Sequence, residues 1–193
     1  MDLKKLFKKV AAYIILAKHY KFVPAIFAVY LGVAENNLAA NAQFFQNITD
    51  KIEINLPRLS YGVAVTDFNN DGKMEFIVTG FRYPNLALSY ENGSYKNINS
   101  SELFADEKRS SIGVVACDVD QDGYEEIYFL NTDTYSGTKK YSDRLIDVDK
   151  TIYDIFGFKK NQANLNLTAG RSVACVDRHG NGNYGIYVSN YGG

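Results

Sequence analysis

The side chains best placed to do chemistry in this chain lie in two short acidic segments. One reads DFNNDGKME from Asp67 and the other DVDQDGYEE from Asp118. Each carries oxygen donors at loop positions 1, 3, 5 and 9, with Gly at position 6. The first set is Asp67, Asn69, Asp71 and Glu75 around Gly72; the second is Asp118, Asp120, Asp122 and Glu126 around Gly123. Hard oxygen donors at alternate positions suit a hard cation, and Gly permits the tight turn between them. Calcium is the natural ion for such a cage. At position 7 the backbone carbonyl is the usual ligand, so Lys73 and Tyr124 are expected to ligate through the main chain with their side chains pointing away. Alternation along the chain turns Glu126 toward the loop and Glu125 outward.

An EF-hand opens the same way but needs a bidentate Glu at position 12 and flanking helices. Position 12 is Val78 in one segment and Phe129 in the other. The flanks YGVAVT, MEFIVTGF, IGVVAC and EEIYFLN are short runs rich in Val, Ile, Tyr and Phe, which read as buried strands. Each unit is therefore strand, acidic loop, strand, with the ninth residue closing the cage from the start of the second strand. YGVAVTDFNNDGKMEFIVTG aligns without a gap to IGVVACDVDQDGYEEIYFLN, and a third copy follows as RSVACVDRHGNGNYGIYVSN. In that copy Asp177 holds position 1, while His179, Asn181 and Gly185 take positions 3, 5 and 9. It reads as a structural copy whose cation binding is weak or lost. The starts at Asp67, Asp118 and Asp177 recur at intervals of 51 and 59 residues. Four-stranded propeller blades use roughly 40–50 residues each, so the second interval holds an insertion.

These segments resemble the FG-GAP or VCBS type of β-propeller repeat, the class found in integrin α-subunits. The longer stretches YGVAVTDFNNDGKMEFIVTGFRYPNLALSY, IGVVACDVDQDGYEEIYFLNTDTYSG and AGRSVACVDRHGNGNYGIYVSNY are similar to the amino-terminal blades of the cartilage acidic protein family, over Gln43 to Tyr191. The resemblance implies an all-β fold, a seven-bladed propeller of which about three four-stranded blades are present here. It also implies secretion, calcium in some inter-strand loops, and action by binding matrix or cell-surface proteins. A propeller hides its edges by closing a ring, so three blades are read as part of a larger whole: a fragment, a short isoform or an incomplete gene model.

Residues 1–42 read as a leader and 43–193 as the repeats. The leader joins a Lys-rich segment, the apolar run Phe22–Ala34 and the A-x-A site Ala40-Asn41-Ala42, the three parts of a helical secretory signal peptide. The apolar run is 13 residues long, too short to span a bilayer, which needs about 20. The membrane is thus met only during secretion. Without the leader the chain holds 15 basic and 20 acidic residues, which suits a cation and disfavours nucleic acid. Sequons stand at Asn47, Asn92, Asn99 and Asn166, and those at Asn92 and Asn99 fall in a turn-rich stretch.

Cys117 directly precedes Asp118, whereas Cys175 lies two residues before Asp177. An offset of one residue turns a strand side chain to the other face. Two buried thiols are therefore favoured over a disulfide. No catalytic constellation is evident: the two His are His19 in the leader and His179 in an exposed loop, and no small-molecule substrate site is visible. The leading expectation is a secreted, calcium-stabilised interaction module rather than an enzyme. The alternatives are an accessory domain of an extracellular enzyme and a truncated product without function.

Overall fold

The computed structural model describes residues 45–191. The leader, its helix and its cleavage site lie outside the described residues. Among the described residues no helix is long and apolar enough to cross a membrane.

Among the described residues ten strands form three antiparallel sheets. The first sheet runs β1 (Val63–Thr66), β2 (Glu75–Val78), β3 (Leu86–Glu91) and β4 (Ser94–Asn97), in that order. A one-turn helix, α1 (Glu102–Ala105), leads to the second sheet. That sheet runs β5 (Ser111–Cys117), β6 (Glu126–Asn131), β7 (Arg144–Asp147) and β8 (Tyr153–Asp154). Two 3-10 segments, Ile155–Gly157 and Lys159–Asn164, precede the hairpin of β9 (Gly170–Asp177) and β10 (Tyr184–Asn190). The described residues are thus all-β with little helix. The first two sheets have the four strands expected of each repeat. The third has two among the described residues, and these residues close no barrel or propeller ring.

The second sheet is packed on both faces. All six residues of β6 are buried, which explains why EIYFLN is almost continuously apolar rather than alternating. Successive side chains point to opposite faces of a strand. Ile127 and Phe129 join Phe68, Ile77, Ala87 and Val114 against the first sheet. Tyr128 and Leu130 pack with Val173, Ile186 and Val188 of the third. Gly170 lets β9 approach closely: a Cβ there would lie 2.5 Å from Leu130 Cδ1.

The helix α1 acts as a plug. The Ser101 hydroxyl accepts from the Phe104 N–H at 3.4 Å, giving the helix its cap. Phe104 is fully buried, edge-on to Phe68 at 4.8 Å and to Phe129 at 5.2 Å between centroids. Burial of one such ring stabilises the fold by about 1.5–3 kcal/mol.

The cysteine expectation is corrected. Cys117 and Cys175 form a disulfide, with Cα atoms 6.3 Å apart. The one-residue offset, which argues against pairing when each strand is considered alone, is what permits it. β5 and β9 belong to neighbouring sheets that pack face to face. Equivalent positions in two such repeats point the same way, so one side chain must be shifted by one residue to meet the other.

Candidate metal centre

The three acidic loops share one backbone design. Positions 4 and 6 are left-handed in all three: Asn70 and Gly72, Gln121 and Gly123, Gly180 and Gly182. The Asp at position 1 accepts the N–H of position 6 each time: Gly72 to Asp67 at 2.8 Å, Gly123 to Asp118 at 3.1 Å, and Gly182 to Asp177 at 2.7 Å. Position 5 accepts from the N–H of position 7, through Asp71, Asp122 and Asn181. The alternating Asp and Asn residues therefore shape the turn as well as offering oxygens, by bonding the backbone a few residues on. That is why the third loop keeps the same form although positions 3, 5 and 9 carry His179, Asn181 and Gly185 and no carboxylate.

The ninth residue stands where the sequence places it, as the first residue of the second strand. Glu75 opens β2 and accepts the Phe68 N–H at 3.0 Å; Glu126 opens β6 and accepts the Val119 N–H at 2.8 Å. Both are buried, at 0% and 2% exposure. Glu125 is exposed. Gly185 supplies no equivalent in the third loop.

Beyond this shared frame the first two loops differ. In the first, hydrogen bonds answer the oxygens locally. Asp67 Oδ1 accepts from the Asp71 N–H at 3.0 Å, and the Ser89 hydroxyl donates to Glu75 Oε1 at 2.8 Å. Lys73 does not point away as expected. Its ammonium turns back onto Asp71 Oδ2 at 3.1 Å and, with the Lys73 N–H, holds the Asp71 carboxyl below its usual range. The reason is simple: an exposed Lys two residues from a carboxylate reaches it without strain.

In the second loop the backbone answers some of the oxygens, but one buried oxygen is left over. Asp118 Oδ1 is buried and has no hydrogen-bond partner. Carboxylate oxygens of Asp118, Asp120 and Glu126 lie within 4.8 Å of one another. Tyr124, half-exposed at 39%, replaces Lys73 and brings no charge. Burial pushes the Glu126 carboxyl up to about 7; the Val119 N–H opposes this, and the charges of Asp120, Asp147 and Asp122 add to it. Asp120 is raised as well, first by burial and then by Asp122. Crowded carboxylates with an orphaned buried oxygen are what a bound divalent cation corrects, since it supplies the charge and completes the coordination of each oxygen. The donor set, all oxygen, fits calcium.

Asp147 was not foreseen. It lies on β7, outside the loop. Ile127 pairs with Ile146 on the β6–β7 ladder, so Glu126 falls opposite Asp147. The same step on the β2–β3 ladder, from Phe76 and Leu88, puts Glu75 opposite Ser89. The segments between loop and partner strand differ in length between the repeats, so no gapless alignment reveals that Ser89 and Asp147 correspond.

The four sequons stand in different settings. Asn92 lies in the β3–β4 hairpin turn and is exposed, as is Asn47. The half-buried Asn99 donates to the Ser101 carbonyl at 3.2 Å. Asn166 spends its amide on Asp143 at 2.6 Å and Asn190 at 3.0 Å.

A sequence model of the FG-GAP-like repeat matches residues 67–129, spanning both acidic loops of the first two sheets. Cartilage acidic protein 1 of Homo sapiens is 41% identical over 179 residues, covering 84% of this chain and 27% of the relative. The Xenopus tropicalis protein of that name is 43% identical over 164 residues, covering 76% and 25%, and the Mus musculus protein 46% over 149 residues, covering 71% and 23%. The chain spans about a quarter of the length of these relatives. Over the stretch it shares with them, this FG-GAP-like repeat chain belongs to the cartilage acidic protein family.

Proposed function

We propose that this chain is a calcium-stabilised portion of a secreted β-propeller that acts extracellularly by binding a matrix or cell-surface protein, without catalysis. The observation that carries the calcium reading is the buried, unpartnered Asp118 Oδ1 among the converging oxygens of Asp120 and Glu126. An ion there is structural: it neutralises the cluster and locks the β5–β6 turn, which also positions Cys117. Asp118, Asp120, Asp122 and Glu126 would hold it, with the Tyr124 carbonyl. At the first loop Asp67, Asn69, Asp71 and Glu75 would do so, with the Lys73 carbonyl.

Three features support the extracellular part of the reading. The inter-sheet disulfide suits an oxidising compartment. The leader has the composition of a secretory signal. The relatives carry the name cartilage acidic protein 1. Stacked repeats favour an interaction role, because they present long edges and loop clusters rather than one enclosed pocket. Expression of the full chain in secreting cells tests the location: it should appear in the medium. Melting in calcium and in chelator tests the ion, and the calcium-loaded form should melt higher. Coincident melting curves would remove calcium from the reading, and exclusively intracellular protein would remove secretion.

A further inference from the structure

We infer that Asp147, on a strand outside the loop motif, makes the second loop dependent on a divalent cation while the first loop holds its shape without one. The inference rests on the calcium reading above and assigns the two loops unequal roles. Its basis is the substitution of one partner across otherwise matching ladders. In the first sheet the residue opposite the buried Glu75 is Ser89, whose hydroxyl donates to it at 2.8 Å. In the second sheet the residue opposite Glu126 is Asp147, which is 4% exposed and offers only acceptor oxygens. Its own oxygens are held in place by the Tyr153 hydroxyl and by the Asp149 N–H at 3.0 Å. These contacts fix the Asp147 carboxylate, and its charge acts on Glu126 from the neighbouring strand.

The charge balance around the two loops differs accordingly. The first gathers Asp67, Asp71 and Glu75, with Lys73 paired to Asp71. The second gathers Asp118, Asp120, Asp122, Glu126 and Asp147, and no Lys or Arg pairs with any of them among the described residues. Asp147 is not among the three residues whose oxygens converge within 4.8 Å. It acts through charge, as a positioning residue behind Glu126, and not as a ligand. A buried charge of this kind repels its neighbours when the cation is absent and attracts the cation when it is present. Its effects on metal-free stability and on cation affinity thus have opposite signs, which a residue of merely structural importance would not show.

The test uses the full chain stripped of metal, with calcium chloride as the probe. Wild type, Asp147→Asn and Ser89→Asp are titrated by calorimetry and melted in chelator and in calcium. Asp147→Asn keeps the shape, an acceptor for the Asp149 N–H and an amide that donates to the Tyr153 hydroxyl, while removing the charge. It should weaken the tighter calcium site on the order of fivefold at low salt. It should also raise the metal-free melting temperature by about 2–4 °C. Ser89→Asp should do the reverse in the first sheet, lowering the metal-free melting temperature and enlarging the rise on adding calcium. If wild type binds calcium and Asp147→Asn matches it in affinity and metal-free melting, the inference falls while the calcium reading stands. Should Asp147→Asn fail to fold, Ser89→Asp decides, and a calcium-induced rise equal to wild type overturns the inference. No calcium uptake by wild type would overturn both.

Discussion

The crowding at Glu126 has a measurable consequence in its pH dependence. In the metal-free protein the Glu126 carboxyl is raised from 4.5 to about 7, chiefly by burial. A carboxyl with a raised folded pKa keeps its proton longer in the folded state than in the unfolded one. The stability linked to that proton is therefore fully present below about pH 4.5 and is lost as pH rises through about 7. The shift corresponds to about 3 kcal/mol without screening. Asp120 and Asp122 on the open side of the loop are exposed, and solvent there reduces the effect to about 1–2 kcal/mol. For a unit of this size that is a fall of about 3–6 °C in melting temperature. The assay is thermal unfolding followed by circular dichroism from pH 4.5 to 8 in chelator, compared with Glu126→Gln. The Gln variant keeps an acceptor for the Val119 N–H but has no proton to lose, so the difference between the two proteins isolates this group. Wild type should fall relative to Glu126→Gln as pH rises, and excess calcium should abolish the fall by favouring the ionised form. A difference that stays flat or rises with pH in chelator would refute the argument that these carboxylates are crowded.

Other parts of the structure predict further outcomes. Reduction of Cys117–Cys175, or Ala at both positions, should lower stability by about 4 kcal/mol, since the bridge closes a loop with a sequence separation of 58; denaturant unfolding with and without reductant measures it. Phe104→Ala should cost about 3–5 kcal/mol, because the ring fills the space between two sheets that cannot collapse around it; the unfolding midpoint in urea is the check. In secreting cells Asn92→Gln should increase gel mobility by one glycan, whereas Asn166→Gln should not, because the Asn166 amide is already committed to Asp143 and Asn190.

The candidate site was legible wherever chemistry depends on local spacing. The positions of Asp67, Asp118 and Asp177, the left-handed glycines at position 6 and the placing of Glu75 and Glu126 at strand starts all follow from eight or nine consecutive residues. The same holds for β6, whose unbroken apolar run announces burial on both faces. Local spacing failed where a second strand decides the outcome. Lys73 was assigned to point outward by analogy with position 7 of a metal loop, yet its long side chain reaches Asp71. The cysteines were judged on one strand at a time, although pairing depends on two sheets facing each other.

What the sequence alone determined, then, is the repeat, the family it resembles, the strand–loop–strand units and the oxygen donors offered by each loop. These are properties of short segments, set by side-chain alternation and by turns that only certain residues can make. Tertiary structure decided the disulfide and the inequality of the two acidic loops. Both depend on what lies opposite: Cys175 across a sheet interface from Cys117, and Asp147 rather than Ser89 across a ladder from the buried glutamate. A carboxylate's need for a cation is set by every charge and donor around it, and residues far apart in the chain supply them only once the sheets have formed.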